Sequence, residues 1–246
     1  MAESLIVTGG SRGIGAAVAR LAAKRGFAVT VNFAQDRNAA EAVASDISRS
    51  GGRAIAVGGD VSKEDDVKRI FDTATNKHGP LKALVNNAGI LGGITRFDEL
   101  KLATLERVLD VNVIGVFLCA REAVKRMSTK RGGTGGAIVN LSSLAAKYGG
   151  ADNYVHYAAS KAAVDTLTIG LAREVAGEGI RVNSVQPGFI DTEIHNVIPD
   201  RMKKVAPTIP MQRPGTPEEV AEAIVWLLSP AASYVTGSIL EVGGGR

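Results

Sequence analysis

The stretch "LIVTGGSRGIG", residues 5–15, joins a short apolar run to a glycine-rich turn, and a helical pattern follows from about Ile14 through Lys24. Glycines at such a turn let the backbone approach an anion, and the helix N-terminus offers unpaired N–H groups and the positive end of its dipole. The spacing Gly9-x-x-x-Gly13-x-Gly15 departs from G-x-G-x-x-G because Val18 stands at the third glycine position. The stretch therefore predicts a phosphate-binding turn, with a tight turn that binds no ligand as the alternative.

Beyond this turn, short β-branched runs alternate with segments of helical periodicity along the whole chain. That alternation is typical of stacked βαβ units, and nearly continuous apolar strands indicate a parallel sheet buried on both faces. Strands are predicted at 5–9, 28–33, 53–60, 82–89, 136–143, 180–187 and 238–242. We expect one domain over residues 1–246, in which the weakly periodic segment 188–216 is an insertion that covers the substrate.

Composition and charge exclude several classes of protein. The 246 residues are 45% hydrophobic and 22% charged, and the interspersed charges sum to only +4, so a nucleic-acid partner is not required. The longest apolar run, residues 111–120, is too short to span a bilayer, and Glu3 stands where a secretory signal would carry positive charge. The single cysteine, Cys119, is predicted to be a small buried hydrophobe and fits a reducing compartment. We expect a cytoplasmic protein with no membrane partner and no metal, because no histidines or carboxylates cluster at ligand spacing.

Six short motifs occur in an order and at a spacing that resemble the short-chain dehydrogenase/reductase family over essentially the whole chain. They are "TGGSRGIG" at 8–15, "NNAG" at 86–89, "DVNVIG" at 110–115, "SS" at 142–143, "YAASK" at 157–161 and "PGFIDT" at 187–192. The chain looks most like NADP-dependent bacterial members related to 3-oxoacyl-carrier-protein reductases and glucose dehydrogenases. This resemblance implies an α/β fold, a single-domain Rossmann fold with a seven-stranded parallel sheet and helices on both faces. It also implies a homotetramer or a homodimer.

The stretch "YVHYAASK", residues 154–161, holds the candidate acids and bases. Residues four apart share a helix face, and Tyr157 is the only one of the four tyrosines with a lysine, Lys161, four positions later. A phenol needs about 4 kcal/mol to bring its pKa from about 10 to about 7. An ammonium about 4 Å away supplies about that much at an effective dielectric of about 20. Tyr157 is therefore the predicted general acid and base, whereas His156, about 100° around the helix, is predicted to be a packing or rim residue.

The family resemblance assigns two more catalytic positions. Ser143 aligns with the serine that stabilises the substrate oxygen, although a shift by one residue to Ser142 stays open. Asn112 matches the position of a water-bridged proton relay to the lysine. It could equally be a polar residue at a local helix distortion, and both descriptions could hold.

The end of the second strand decides which nicotinamide cofactor is expected. A carboxylate there would hold a free ribose 2′-hydroxyl, but this chain has Asn32 and Phe33, while Arg12 and Arg37 can neutralise a 2′-phosphate. We therefore predict NADP(H), with NAD(H) as the alternative if Asp36 reaches the ribose. By resemblance, Asp60 and Val61 flank the adenine, Asn87, Ala88 and Gly89 border the ribose, and Ile190 and Thr192 hold the carboxamide. The remaining residues predicted to contact the cofactor are Gly9, Ser11, Gly13, Ile14, Gly15, Pro187, Gly188 and the pair Tyr157 and Lys161.

These features predict an NADP(H)-dependent oxidoreductase that reduces a carbonyl or oxidises the corresponding secondary alcohol. The rival hypothesis is a catalytically silent dinucleotide-binding sensor or scaffold, although such a protein would need none of the proton chemistry. The substrate is expected to be a small molecule bound by segments 188–216, 91–100 and 144–154. These segments contain the candidates Leu91, Arg96, Leu144, Tyr154, Ile194 and His195. If acyl-carrier protein were a partner, Arg126, Lys130 and Arg131 would be candidates for its docking patch.

Overall fold

The computed structural model describes residues 3–151, 153–193 and 204–246, whose strands form one parallel sheet. Its seven strands lie in the order β3-β2-β1-β4-β5-β6-β7, which confirms the predicted seven-stranded parallel sheet. The strands are β1 (Ser4–Val7), β2 (Ala28–Phe33), β3 (Arg53–Gly58), β4 (Leu81–Asn86), β5 (Gly136–Leu141), β6 (Ile180–Pro187) and β7 (Ile239–Val242). From β1 the chain adds β2 and β3 on one side of the sheet, and from β4 it adds β5, β6 and β7 on the other side. The strand order therefore reverses between β1 and β4, and ligands of such sheets bind at that switch point.

Helices cover both faces of the sheet. They are α1 (Gly13–Lys24), α2 (Arg37–Arg49), α3 (Glu64–His78), α4 (Leu102–Leu109), α5 (Gly115–Met127), α6 (Ala145–Tyr148), α7 (Val155–Val175) and α8 (Pro217–Leu228). One apolar core joins the sheet to α1, α2 and α8, and a second joins it to α3, α5 and α7. Alternation along β1 feeds both cores, since Leu5 and Val7 pack in the first and Ile6 in the second. Cys119 lies in the second core, where burial raises the pKa of its thiol to about 12.

Several strands end earlier than their apolar patterns predicted. β1 ends at Val7 instead of Gly9, β4 at Asn86 instead of Gly89, and β5 at Leu141 instead of Ser143. Gly9 has a positive φ of 60°, a conformation that cannot continue a strand. The motif residues after each strand therefore lie in loops beyond the carboxyl edge of the sheet, which is the edge where they can meet.

Two connections bear on the site. Between α4 and α5 the helix widens into a π-helical turn over Asp110–Ile114, and such turns are frequent at functional sites. In the segment 188–216, Ile190 pairs with Gly215 in an isolated parallel bridge, and a short 3₁₀ turn spans Ala206–Thr208. Residues 194–203 lie outside the described part of the chain, so a covering insertion stays a prediction. Among the described residues, no helix combines the length and apolarity needed to cross a bilayer, and no three potential ligands of the His, Cys, Asp or Glu type gather around a metal position.

Candidate active site

The glycine-rich turn after β1 is tied to the loop after β4. The Asn87 side chain donates hydrogen bonds from Nδ2 to the carbonyl oxygens of Thr8, at 2.9 Å, and Gly9, at 2.8 Å. The hydroxyl of Thr8 in turn accepts the backbone N–H groups of Asn87 and Ala88, both at 3.0 Å. Asn87 therefore fixes the shape of the turn with its side chain, and the adjacent backbone of Ala88 and Gly89 borders the space above it.

Close packing inside this turn requires glycine at position 15. A Cβ added to Gly15 would lie 2.5 Å from Nδ2 of Asn87 and closer still to the carbonyl oxygen of Gly9. We expect Gly15→Ala to lower the free energy of unfolding by about 1–3 kcal/mol, the usual cost of overpacking. Urea unfolding measures it, with Gly177→Ala as control because a Cβ there meets open space. Equal stability of the two variants would contradict this packing.

The N-terminus of α1 is open to an anion. Arg12 occupies the N-cap position without a side-chain capping bond, and the first turn contains no acidic residue. By contrast, Asp36 caps α2, and Thr216 with Glu219 forms a capping box on α8. Since no side chain in the described ranges caps α1, its first N–H groups and its dipole can hold a phosphate, which fits a dinucleotide.

Asn32, a predicted cofactor contact, has a side chain that is turned into the protein. Its side chain is buried, and Nδ2 donates to the carbonyl oxygens of Val57, at 3.2 Å, and Gly59, at 3.0 Å, while Oδ1 accepts the N–H of Gly9 at 3.4 Å. Both ends of the Asn32 amide are hydrogen-bonded to backbone groups of β3, the residue after it and the glycine turn. Asn32 therefore stabilises the glycine turn from inside the protein. The sequence could not show which way Asn32 points. All six residues of β2 are buried, so a polar residue on this strand does not mark a face that is exposed to solvent.

The residues after β2 present positive charge. Oδ1 of Asp36 accepts the N–H of Ala39 at 2.9 Å and thereby caps α2. The Arg37 guanidinium lies 5.6 Å above the centre of the Phe33 ring and pairs with Glu41 at 3.2 Å. Arg12 is mostly exposed, with Nε 3.9 Å from a carboxylate oxygen of Glu193.

The other predicted cofactor positions lie along the same edge. Asp60 accepts hydrogen bonds from Ser62 and from Arg107. Val61 packs closely against Gly115, since a Cβ added to that glycine would lie only 2.8 Å from Cγ2 of Val61. On the opposite side of the turn, a Cβ on Gly13 would lie 3.3 Å from Cγ2 of Thr192. Segment 187–192 thus reaches the glycine turn, with Pro187 ending β6 and the N–H of Gly188 donating to Val242. Ile190 is buried there, and Ser11 and Ile14 lie in the turn itself, partly buried.

Four predicted catalytic residues from three separate elements converge beside this edge. The Ser143 side chain interacts with the Tyr157 phenol and acts to lower its pKa. Lys161, one turn along α7, donates from Nζ to the carbonyl oxygen of Leu141 at 2.7 Å. A Cβ added to Gly89 would lie 3.3 Å from Nζ of Lys161 and 3.4 Å from Oδ1 of Asn112. The Lys161 ammonium and the Asn112 amide therefore both lie next to Gly89.

Ser142 and Asn112 both have structural contacts of their own. Ser142 is buried and donates from Oγ to the backbone oxygen of Lys161 at 3.1 Å, so it ties β5 to α7 while Ser143 faces Tyr157. Asn112 lies in the π-helical turn and is fully buried. Its Oδ1 accepts the N–H of Ile90 at 2.8 Å, and its Nδ2 donates to Ile90 and to Oγ of Ser160. Asn112 therefore holds the helix distortion against the loop after β4 and also borders the position shared with Lys161.

The expected lowering of the Tyr157 pKa by Lys161 is wrong for the chain alone. Burial raises the pKa of Tyr157 to about 12, although the interaction with Ser143 opposes the shift. Nζ of Lys161 lies 5.7 Å from the centre of the Tyr157 ring, over the ring instead of at the hydroxyl. Burial also lowers the pKa of Lys161 to about 8, against the opposing charge of Asp165. Loss of hydration outweighs attraction here, so Tyr157 is a protonated phenol.

Two of the predicted substrate residues, Leu91 and Tyr154, lie close to α7 near Tyr157. The Tyr154 ring lies edge-on to the Tyr157 ring at 6.0 Å, and His156 is buried with Nε2 3.1 Å from the oxygen of Leu91, in agreement with a packing role. Leu144 is buried against the backbone of Gly188 and Gly243, and its contact with a substrate stays a prediction. Arg96 is exposed and pairs with Asp98, and Ile194 and His195 lie outside the described residues.

Sequence reasoning missed a buried polar group on α7. Asp165 is 8% exposed and accepts hydrogen bonds from Ser184 and Gln186 of β6. Its spacing of four from Lys161 was available as a signal, since it places both side chains on one helix face.

A parallel sheet with an open helix N-terminus at its switch point, beside a Tyr, Lys, Ser and Asn cluster, defines a nicotinamide dinucleotide-binding Rossmann protein. The chain belongs to the short-chain dehydrogenase/reductase family. A family model described as "Enoyl-(Acyl carrier protein) reductase" matches residues 9–246.

Relatives of this chain carry the names of oxidoreductases and reductases. It is 54% identical over 244 residues to an uncharacterised oxidoreductase, YgfF, of Escherichia coli (strain K12), covering 98% of each chain. It is 40% identical to a 3-oxoacyl-[acyl-carrier-protein] reductase of Synechocystis sp., covering 99% of this chain and 96% of that one. Among solved structures, a short-chain dehydrogenase from Burkholderia cenocepacia J2315 in complex with NADP superposes with a TM-score of 0.92. That protein is 33% identical, and the match covers 99% of this chain and 97% of the other. The protein is therefore an oxidoreductase by family.

Proposed function

We propose that this protein is an NADP(H)-dependent oxidoreductase that reduces a small carbonyl compound, or oxidises the corresponding secondary alcohol. The observation that carries the proposal is the partly buried Tyr157 phenol, which interacts with Ser143 and has the Lys161 ammonium over its ring. A protein that only binds a dinucleotide needs no acid at this position. The family membership supports the same chemistry.

Each of the four clustered residues has a separate role in the proposed reaction. A nicotinamide held at this edge of the sheet would supply the hydride for a carbonyl carbon, or accept it from an alcohol. Tyr157 donates its phenolic proton to the carbonyl oxygen, and its raised pKa keeps that proton in place until the oxygen becomes basic. Ser143 orients the oxygen by hydrogen bonding, and the Lys161 charge favours the phenolate that remains. Asn112 holds the π-helical turn next to Lys161. A proton can be returned to the Tyr157 phenolate from this side of the site.

NADP(H) is the proposed cofactor because exposed arginines, each paired with one exposed glutamate, lie in the glycine turn and directly after β2. The one carboxylate that could select a free 2′-hydroxyl, Asp36, is bound as the cap of α2. Arg37 and Arg12 flank the glycine turn with largely exposed guanidinium groups. A structural relative binds NADP, which supports the same preference.

We expect Arg37→Ala to raise KM for NADPH about tenfold and to leave KM for NADH unchanged. One charge-assisted hydrogen bond to phosphate contributes about 1.5–3 kcal/mol, and about 1.4 kcal/mol is tenfold. Initial-rate measurements with both cofactors test it. Arg20→Ala is the matched control, because Arg20 pairs with Asp46 between α1 and α2. Equal changes with NADPH and NADH would show that Arg37 does not read the phosphate.

A small-molecule substrate is favoured over acyl-carrier protein. In the candidate docking patch, Arg126 pairs with Asp72 and Glu122, and Lys130 pairs with Glu178 at 3.3 Å. These pairs leave less positive charge for an acidic partner. Turnover of a broad carbonyl panel with NADPH tests the proposal, and NADPH binding without turnover of any compound would favour the silent sensor.

We also propose a homo-oligomer, a homotetramer or homodimer, in the cytoplasm. Leu102, Ile114 and Phe117 expose apolar side chains along α4, the π-helical turn and α5, which would be covered between copies. The single buried cysteine supports a reducing compartment. Light scattering after gel filtration measures the oligomeric state.

A further inference from the structure

We infer that Asp165 is a positioning residue that holds Lys161 in its charged form inside the buried site. The inference rests on the proposed function, since it concerns the lysine beside the proposed acid. Asp165 lies on α7 one turn after Lys161, and both are nearly excluded from solvent, at 8% and 4% exposure. Aspartate and lysine are seldom buried so deeply unless each charge has a partner.

The carboxylate of Asp165 is held in place by β6. Oγ of Ser184 donates to Oδ1 at 3.0 Å, and Nε2 of Gln186 donates to Oδ2 at 2.7 Å. Residues two apart on a strand point to the same side, so this strand presents both donors to α7. Both donors are neutral, and they fix the position of the negative charge without cancelling it.

Asp165 forms no ion pair with any residue of the ranges 3–151, 153–193 and 204–246. Its charge therefore acts across space, and Lys161 is the buried cation on the same helix face. Such an interaction is strong where water is excluded, because the effective dielectric is low.

The surroundings of Lys161 contain few other ionisable groups. Leu141 at the end of β5, Ser142 directly after it and Asn112 of the π-helical turn lie around Lys161, and none of them ionises. On α7 itself the ionisable neighbours are Tyr157 and Asp165. Burial lowers the pKa of Lys161 to about 8, and Asp165 opposes that shift. Without the carboxylate, the lysine would lose its proton closer to neutral pH.

The variant that tests this role is Asp165→Asn, which removes the charge with little change of shape. The amide oxygen can still accept from Gln186, and the amide N–H can donate to Oγ of Ser184. We expect the alkaline limb of kcat against pH, measured for NADPH-dependent carbonyl reduction, to move down by about one pH unit. Ser184→Ala is the matched control, because it removes one hydrogen bond from the same carboxylate and keeps the charge. Its alkaline limb should stay in place.

Two results would overturn the inference. One is an alkaline limb that does not move in Asp165→Asn, and the other is an equal movement in Ser184→Ala, which would indicate a structural role. A second measurement needs no substrate: urea unfolding of the single and double variants Asp165→Asn and Lys161→Met. We expect Lys161→Met to increase stability more when Asp165 is already neutral, and additive effects would also overturn the inference. If the wild type reduces no carbonyl at any pH, the proposed function fails, whereas the unfolding cycle still decides whether Asp165 acts on Lys161.

Discussion

Replacing Tyr157 by phenylalanine is expected to lower kcat for carbonyl reduction at least about a thousandfold, with cofactor binding unchanged. General acid catalysis by a positioned side chain contributes about 10²–10⁴ in rate, and this phenol is the proposed acid of the site. The substitution removes one oxygen and keeps the ring that packs against Tyr154 at 6.0 Å. Steady-state kinetics with NADPH at saturation, together with a fluorescence titration of NADPH, separate chemistry from binding.

The matched control is Tyr234→Phe, since Tyr234 is fully exposed and removal of its hydroxyl should leave kcat unchanged. Retention of more than about a hundredth of wild-type activity by Tyr157→Phe would contradict the assignment, because loss of even a weak general acid costs about a hundredfold. Because its pKa is about 12, Tyr157 stays protonated throughout the neutral range in the protein alone. The alkaline loss of reductase activity should therefore follow Lys161, whose pKa is about 8.

Replacing Lys161 by methionine is expected to abolish measurable turnover and to stabilise the fold. A folded-state pKa of about 8 against an unfolded value of 10.5 means that the buried ammonium destabilises the fold. At 1.36 kcal/mol per pKa unit, the cost is about 3 kcal/mol. Loss of the hydrogen bond to Leu141 offsets about 1 kcal/mol. The isolated Asp165 charge offsets more, so we expect a net gain of about 1–2 kcal/mol at pH 7.

The sign of this effect depends on pH. The destabilisation is fully present below pH 8 and disappears as pH rises toward 10.5, because the unfolded lysine then also loses its proton. The stability gap between Lys161→Met and wild type should therefore narrow between pH 7 and pH 10 in urea unfolding. Lys68→Met, at a half-exposed position on α3, should show no such trend. A variant that loses both activity and stability would instead assign Lys161 a structural role.

Much of this architecture was predictable from local patterns. The alternation of strands and helices led to the correct parallel sheet, because strands buried on both faces are apolar without interruption. Helical spacing led to Tyr157 and Lys161, which do lie on one face of α7. Strand ends were overestimated, as at Gly9, because the positive φ that ends the strand there cannot be read from the pattern of residues.

The sequence by itself determined the class of fold, the glycine turn and the tyrosine–lysine pair, because these depend on residues close together in the chain. Only the tertiary structure decided which serine faces Tyr157, that Asn32 supports the glycine turn, and that Asp36 caps α2. It also reversed the expected pKa shift of Tyr157 and joined Asp165 to Ser184 and Gln186 of β6. Hydration and charge at a buried atom depend on every element packed around it, and those elements come together only when the chain folds.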